Sequence, residues 1–167
     1  MSTPLTALLG LTPSSPTLGP SYLIFHFIYA YILLSSRPWK LAHKIDHNVS
    51  PRDDLTKYGP SAVAKGKLTQ RQLDRIRRVE NCHANSVENF PLLVAAVVLA
   101  HVGGLENSVV NGLGLWYTVV RVGYAGAYIF NERSRGVALL RGVFWWTGNI
   151  VCLRVIGMAG KVMNAKI

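Results

Sequence analysis

The sequence predicts an all-α membrane protein, a bundle of four transmembrane helices, on three observations. Half of its 167 residues are hydrophobic and 16% are charged, with a mean hydropathy of +0.24, too apolar for an ordinary soluble domain. The apolar residues gather in four long stretches, near the roughly 20 residues needed to cross a hydrocarbon core about 30 Å thick. The charge is segregated: residues 1–36 hold no Lys, Arg, Asp or Glu, whereas residues 37–78 hold eleven basic residues against four Asp. A formal charge of +10 invites a nucleic-acid reading. Most of that excess lies in one connection between apolar stretches, the pattern of a positive-inside loop, so no nucleic-acid partner is expected.

Residues 1–20 lack the basic start of a secretory signal, and their Pro, Ser and Thr predict a short disordered or interfacial tail. The first span runs from Tyr22 to Ser36, between Pro20 and Arg37-Pro38. A cytoplasmic loop over 37–73 follows, within reach of anionic lipid. Its "KYGPSAVAKGKLT" part reads as irregular, and Thr69 or Gln70 opens the second helix.

The second span ends at Val102. From Phe90 to Val102 there are only 13 residues, about 20 Å of helix. To cross, the helix must recruit about seven more residues on its N-terminal side. That brings Asn85, Glu88 and Asn89 to membrane depth and puts Pro91 inside the helix, which neighbouring helices can accommodate. Residues 103–106 form a tight turn without Lys or Arg. The third span is Asn107 to Phe130 and the fourth Val137 to Met158, joined by a connection carrying Arg133 and Arg135. The domain organisation is thus a tail (1–20), a four-helix membrane domain (21–158) and a second tail (159–167). Charge asymmetry puts the long loop and the 131–136 connection in the cytoplasm.

Several residues carry no further message. Cys82 and Cys152 form no CxxC pair and read as buried packing. His26 and His101 are lone, and His43 with His47 makes only an HxxxH, so no metal site is expected. Arg154 reads as a snorkelling end residue. Tyr22, Tyr29, Tyr31, Trp39, Trp145 and Trp146 read as belt or packing aromatics. Gly112, Gly114, Gly123 and Gly126 allow close helix approach.

Two polar stripes do carry one. Arg78, Asn81, Asn85 and Glu88 follow steps of three or four and share a helix face, as do Arg121, Tyr124 and Tyr128, with Arg135 two turns further on. Ionisable groups at membrane depth usually face a bundle interior and mark a functional site, and Glu88 is the expected partner of an arginine such as Arg121. Arginine donates two parallel hydrogen bonds to a carboxylate, Asn85 donates and accepts, and Glu88 accepts from an ammonium. A peptide-like ligand with one amine and two carboxylates would use every one of these groups. A thiol there, ordinarily neutral at pH 7 with a pKa of about 8.5, would be shifted toward thiolate by an adjacent arginine.

"RVENCHANSVENFP" resembles the second-helix motif of the MAPEG family, the membrane-associated proteins of eicosanoid and glutathione metabolism, through Arg78, Asn85, Glu88 and Pro91, with His83 two residues before the Asn. "RVGYAGAY" is similar to the family's third-helix Arg-x-x-Tyr-x-x-x-Tyr through Arg121, Tyr124 and Tyr128. The resemblance covers about residues 20–158. It implies a homotrimer of four-helix subunits in the endoplasmic reticulum or another intracellular membrane, binding glutathione between subunits near the cytosolic face. Arg37, Arg78, Asn85, Glu88, Arg121, Tyr124 and Tyr128 would hold the glutathione. Either Arg135, which is preferred, or Arg141 would activate its thiol. Asn81 stands where many eicosanoid-type members have a second arginine.

The resemblance implies a glutathione transferase or peroxidase that attacks lipophilic electrophiles or lipid hydroperoxides with the thiolate. The alternative is a non-catalytic lipid-binding scaffold. The expected partners are self, glutathione, a lipophilic substrate and membrane lipids.

Overall fold

Thr69 sets the start of the longest helix. Its Oγ1 accepts from the Gln72 N–H at 3.2 Å while Gln72 Oε1 accepts from the Thr69 N–H at 2.7 Å, a reciprocal capping box. A computed structural model describes residues 4–166; residues 1–3 and 167, at the outer ends of the two expected tails, lie outside the described residues. The elements in order are α1 (Pro4–Leu8), α2 (Gly19–Ile28) running on through a π-helical turn (Tyr29–Leu33), and α3 (Arg37–Ala42). A second π-helical turn (Asp54–Tyr58) leads into α4 (Gly59–Ala64), and then come α5 (Gln70–Gly103), α6 (Asn107–Phe130) and α7 (Arg135–Asn164). No strand occurs among the described residues.

Helices α5, α6 and α7 pack against one another, and α2 with its π turn lies on α5 and α6. The central core joins Leu93, Val97 and Ala100 of α5, Leu113 and Tyr117 of α6, and Cys152 and Val155 of α7. Cys82 lies in a different cluster with Leu34, Tyr124 and Ala125, and both thiols are free and buried. The bundle is up-and-down. The 37–69 segment and the 131–134 turn share one end, called here the basic end. At the opposite end the Gly104 turn (φ 76°) caps α5 through Gly104 N–H to His101 O and Leu105 N–H to Ala100 O, a left-handed position that favours glycine.

By length and composition, α5 and α7 are the two helices among the described residues able to cross a membrane. At 34 and 30 residues they are about 51 and 45 Å long. The other two expected spans fall short for different reasons. Helix α6 has 24 residues, but Arg121 falls in every membrane-length stretch of it, among glycines and tyrosines that lower its mean hydropathy. The first helix runs from Gly19 to Leu33 rather than Tyr22 to Ser36, about 22 Å of α-type rise.

Two expectations about connections need correction. The "KYGPSAVAKGKLT" segment contains α4, because Pro60 starts a helix well and Ala62 and Leu68 bury with Ile45, Leu55, Leu73 and Ile76 in a small separate core. Of the two readings of the N-terminal segment, disordered or interfacial, the first does not hold within the described residues, where the segment is docked. Asn111, fully buried, donates to Gly10 O at 2.7 Å and Pro16 O at 2.9 Å, and its Oδ1 accepts from the Leu18 N–H at 2.7 Å. One amide thereby satisfies a stretch of coil that would otherwise lose its water.

Glycine permits the closest approaches. A Cβ on Gly103 would stand 3.1 Å from the Ala159 Cα, and one on Gly114 would run into the Tyr22 ring, whereas Gly126 faces open space. Gly114→Ala should destabilise by about 1–3 kcal/mol through overpacking of α2 on α6. Gly126→Ala should be neutral or stabilising by up to about 1 kcal/mol, both read as thermal unfolding in detergent.

Candidate functional site

The two polar stripes meet at Arg121. Its side chain, 2% exposed, donates from both Nη atoms to Asn85 Oδ1 at 3.1 Å and from Nη2 to Ser86 Oγ at 2.8 Å. Its Cζ lies 4.6 Å from the centre of the Tyr124 ring, within cation–π range. Among the described residues no carboxylate pairs with it. The interstice between Arg121, Ser86, His26, Tyr29 and Tyr117 leaves no room for a water-sized molecule. From Tyr124 the contacts continue to Tyr128, ring centres 5.6 Å apart, and to the Arg141 guanidinium, 4.4 Å from the Tyr128 ring.

Glu88 is not the partner of Arg121. Arg121 is held by Asn85 and Ser86, which set the side of α5 that faces α6. Three residues past Asn85, Glu88 falls about 60° to the other side of Asn85 from Ser86 and so faces away from α6. Glu88 lines a cleft of about 580 Å³ at the basic end with Ser36, Arg37, Lys40, Arg52, Glu80 and His83, among others. The cleft lies where the end of the first helix, α3 and the following loop meet α5. His83 is fixed there by donating from Nδ1 to Ala30 O at 2.7 Å, within the π turn, a local distortion frequent at functional sites. Neither Glu88 nor Arg52 makes a hydrogen bond or ion pair among the described residues. Arg37 is exposed, donates to Asn48 Oδ1 at 2.8 Å and pairs with Asp46 at 3.6 Å.

Sequence reasoning missed the base of this cleft. Lys40, 4% exposed, lies 3.1 Å from Glu80 and 3.4 Å from the fully buried Asp54, and its Nζ donates to Pro51 O at 2.7 Å. Ser36 Oγ donates to the same Glu80 Oε2 at 2.9 Å. The available signal was scarcity: with eight acids in the chain, Glu80 on a helix that follows a lysine-rich loop was a candidate partner for one of its cations.

The remaining candidates lie elsewhere. Arg78 ties α5 to the end of α6, donating from Nε to Ile129 O at 3.1 Å and standing 3.7 Å from Glu132. Arg71 holds the same carboxylate at 2.9 Å. Arg135 opens α7, exposed and without a partner among the described residues. So the structure brings Asn85, Arg121, Tyr124, Tyr128 and Arg141 into one chain of contacts and Arg37 and Glu88 into the cleft. It leaves Arg78 and Arg135 apart from both.

These features define a class: a helical membrane bundle with a buried arginine at its centre and a mixed-charge cleft at its basic end. The MAPEG family model matches residues 21–161, nearly the whole chain, and the chain belongs to the MAPEG family. Its function is therefore related to glutathione or eicosanoid metabolism in general. No curated protein and no solved structure matches it.

Two predictions follow from the ion pairs. Lys40→Ala would leave Asp54 buried and unpaired, a change that typically costs about 3–5 kcal/mol, and should speed hydrogen exchange across 37–69 while sparing α6 and α7. The hydrogen bond from Arg71, aided by the charges of Arg71, Arg78 and Arg133, outweighs desolvation and holds the Glu132 carboxyl below its ordinary pKa. A lowered folded-state pKa means the clasp stabilises above the ordinary carboxyl value near 4.3 and is lost as pH falls below it. Glu132→Gln should lower the melting temperature in detergent slightly at pH 7, leave it unchanged at the acid end, and so flatten the acid limb of the profile.

Proposed function

We propose that the chain is a glutathione-dependent membrane transferase or peroxidase acting on hydrophobic electrophiles or lipid hydroperoxides. The observation that carries this reading is the cleft of about 580 Å³, within the 300–1,000 Å³ usual for small-molecule sites. It offers the unengaged Arg52 and the exposed Arg37, whose pair with Asp46 would have to be shared or exchanged, for the tripeptide's two carboxylates, and the unengaged Glu88 for its ammonium. Lys40, held by Glu80 and Asp54, forms the floor rather than a free ligand group. The ligand thiolate is the nucleophile: it attacks carbon and expels a leaving group such as halide, or it attacks a peroxide oxygen. The second route breaks the O–O bond, releases the alcohol and leaves a sulfenic acid that a second glutathione converts to the disulfide and water. The chain's part is to hold the tripeptide by its charges, to favour the thiolate with a guanidinium, and to admit a substrate from the bilayer. Proximity in such a site raises the effective concentration of both reactants.

No residue of α6 or α7 lines the cleft. For Arg135 or Arg141 to reach a thiol held beside Glu88, a second copy of the chain must supply it. That need supports a homotrimer with the site between subunits. Arg121, Asn85 and Tyr124 then serve as the rigid support behind the site. The proposed setting is an intracellular membrane such as the endoplasmic reticulum, with the basic end toward the cytosol, and a role in detoxification or lipid metabolism.

A second reading, a non-catalytic lipid-binding scaffold, is favoured by one feature. An apolar groove of about 270 Å³ runs along Leu18, Tyr22, Phe25 and Thr118, and it has no need of a thiolate. Calorimetric titration with glutathione in detergent separates the two readings. Heat of binding, weakened about tenfold or more by Glu88→Gln and by Arg52→Gln, as expected for losing charge-assisted hydrogen bonds, supports the enzyme. No heat supports the scaffold. Arg135→Ala should abolish conjugation of an aromatic halide with the assembly intact, and wild-type rates in both the Arg135 and Arg141 variants would remove the mechanism.

A further inference from the structure

The 37–69 segment contains a second hollow that the cleft does not use. It measures about 190 Å³ and is lined by Lys44, Lys65, Lys67, His47, Tyr58 and Ser61 over a floor that includes Ile45 and Ala62. No carboxylate lines it. The acids of the same segment are engaged elsewhere: Asp46 with Arg37, Asp54 with Lys40, and Asp53 with Ser50 at 2.7 Å. The three lysines are exposed and make no ion pair among the described residues. His47 is stacked on Tyr58, ring centres 4.2 Å apart and 10° from parallel, which holds one wall in place.

The backbone assembles the cluster by two matching helix ends. Helix α3 closes with Ile45 N–H to Lys40 O and Lys44 N–H to Leu41 O, both at 3.0 Å; α4 closes with Lys67 N–H to Ala62 O and Gly66 N–H to Val63 O, both at 2.9 Å. Each is a Schellman cap with a left-handed residue. At α4 that residue is Gly66 (φ 67°), but at α3 it is Lys44 (φ 54°), the sole non-glycine with positive φ among the described residues. A lysine in a position that favours glycine is strained, and strain retained at a cluster of like charges motivates a functional role.

We propose that this hollow binds the phosphate of an anionic lipid headgroup. Three cations facing one concavity repel one another unless an anion joins them. A lipid suits the place better than a free anion. The segment is the connection between the first helix and the membrane-length α5, and it exposes Leu41, Trp39 and Val49, the last at 94%. Basic side chains beside apolar ones is the composition of an interfacial element, and positive-inside asymmetry puts it against the anionic leaflet. The site does not depend on glutathione or on Arg135.

The test uses the full chain in detergent, titrated with dioctanoyl phosphatidic acid, dioctanoyl phosphatidylcholine and inorganic phosphate. The phosphatidic acid should bind at least tenfold more tightly than either of the others. Each lysine near an anionic surface contributes about fivefold, so Lys65→Gln with Lys67→Gln should weaken binding about 25-fold and leave glutathione affinity unchanged. Lys44→Gly relieves the strained φ and should weaken lipid binding about fivefold with the melting temperature unchanged or raised. Arg133→Gln with Lys161→Gln removes the same charge elsewhere and should change binding less than twofold. Equal binding of phosphatidylcholine, equal binding of inorganic phosphate, lysine variants that bind like wild type, or an equal loss in the remote control would each overturn the proposal.

Discussion

The structure depends on a cation buried among neutral groups. Arg121 brings a full charge into the bundle where no carboxylate meets it, and an isolated ion in a low-dielectric interior is costly. What offsets that cost is geometry: two donors on the Asn85 oxygen, one on Ser86 and the face of Tyr124 against the guanidinium plane. Each partner sits at a fixed height on its helix, so α5 and α6 cannot slide by a turn without stranding the charge. Ser86 is itself anchored, donating to Cys82 O at 2.9 Å, and Tyr29 of the first helix reaches the Arg121 carbonyl at 3.2 Å. Three helices thus meet at one residue, through its side chain to α5 and its carbonyl to the first helix, and this explains why an apolar run begins behind Asn85.

The basic end follows a different logic. Lys40 is nearly as buried as Arg121, but it has two carboxylates and a carbonyl around it. That set fastens the long segment to α5 at Glu80 and lets a small apolar core form beneath it. A segment rich in Lys and other charged residues would otherwise have too little to bury against its chain entropy. Fastened, it forms walls for two concavities instead of trailing as a loop.

How much of this was legible in the sequence depends on the kind of signal. Apolar runs placed α5, α6 and α7 to within about six residues at every end, and Thr69 or Gln70 was legible as the start of α5; the reciprocal bond with Gln72 that fixes that start came from the structure. Charge segregation foretold that the 37–69 segment and the 131–134 turn share an end. The Asn85–Arg121 contact could be anticipated from face sharing, whereas the departure of Glu88 could not: a stripe built of three- and four-residue steps spans enough arc for its last member to face a different neighbour. Non-local partnerships were the least visible. Nothing near Asn111 in the chain says that it will hold Gly10 and Pro16, and nothing near Lys40 points to Glu80. The "KYGPSAVAKGKLT" stretch read as coil because its glycines and Pro60 look like breakers, yet Pro60 starts a helix and Gly66 ends it.

The charged groups of this chain fall into two sets, and the division bears on function. Arg121, Lys40 and Arg78 are spoken for, each by contacts that fix one element to another, and replacing them tests the fold before it tests chemistry. Arg52, Glu88, Arg135 and the lysines around His47 are not. Orienting unpaired charges toward concavities or an open helix start offers the fold no compensating contact, and like charges held close oppose it. Such groups are intelligible as groups whose partners arrive from outside: a small ligand, a neighbouring copy or the membrane surface. In a protein with so few acids, where an unpaired Glu88 stands in a cleft beside the unpaired Arg52, a partner carrying both signs of charge fits the cleft better than a simple anion does.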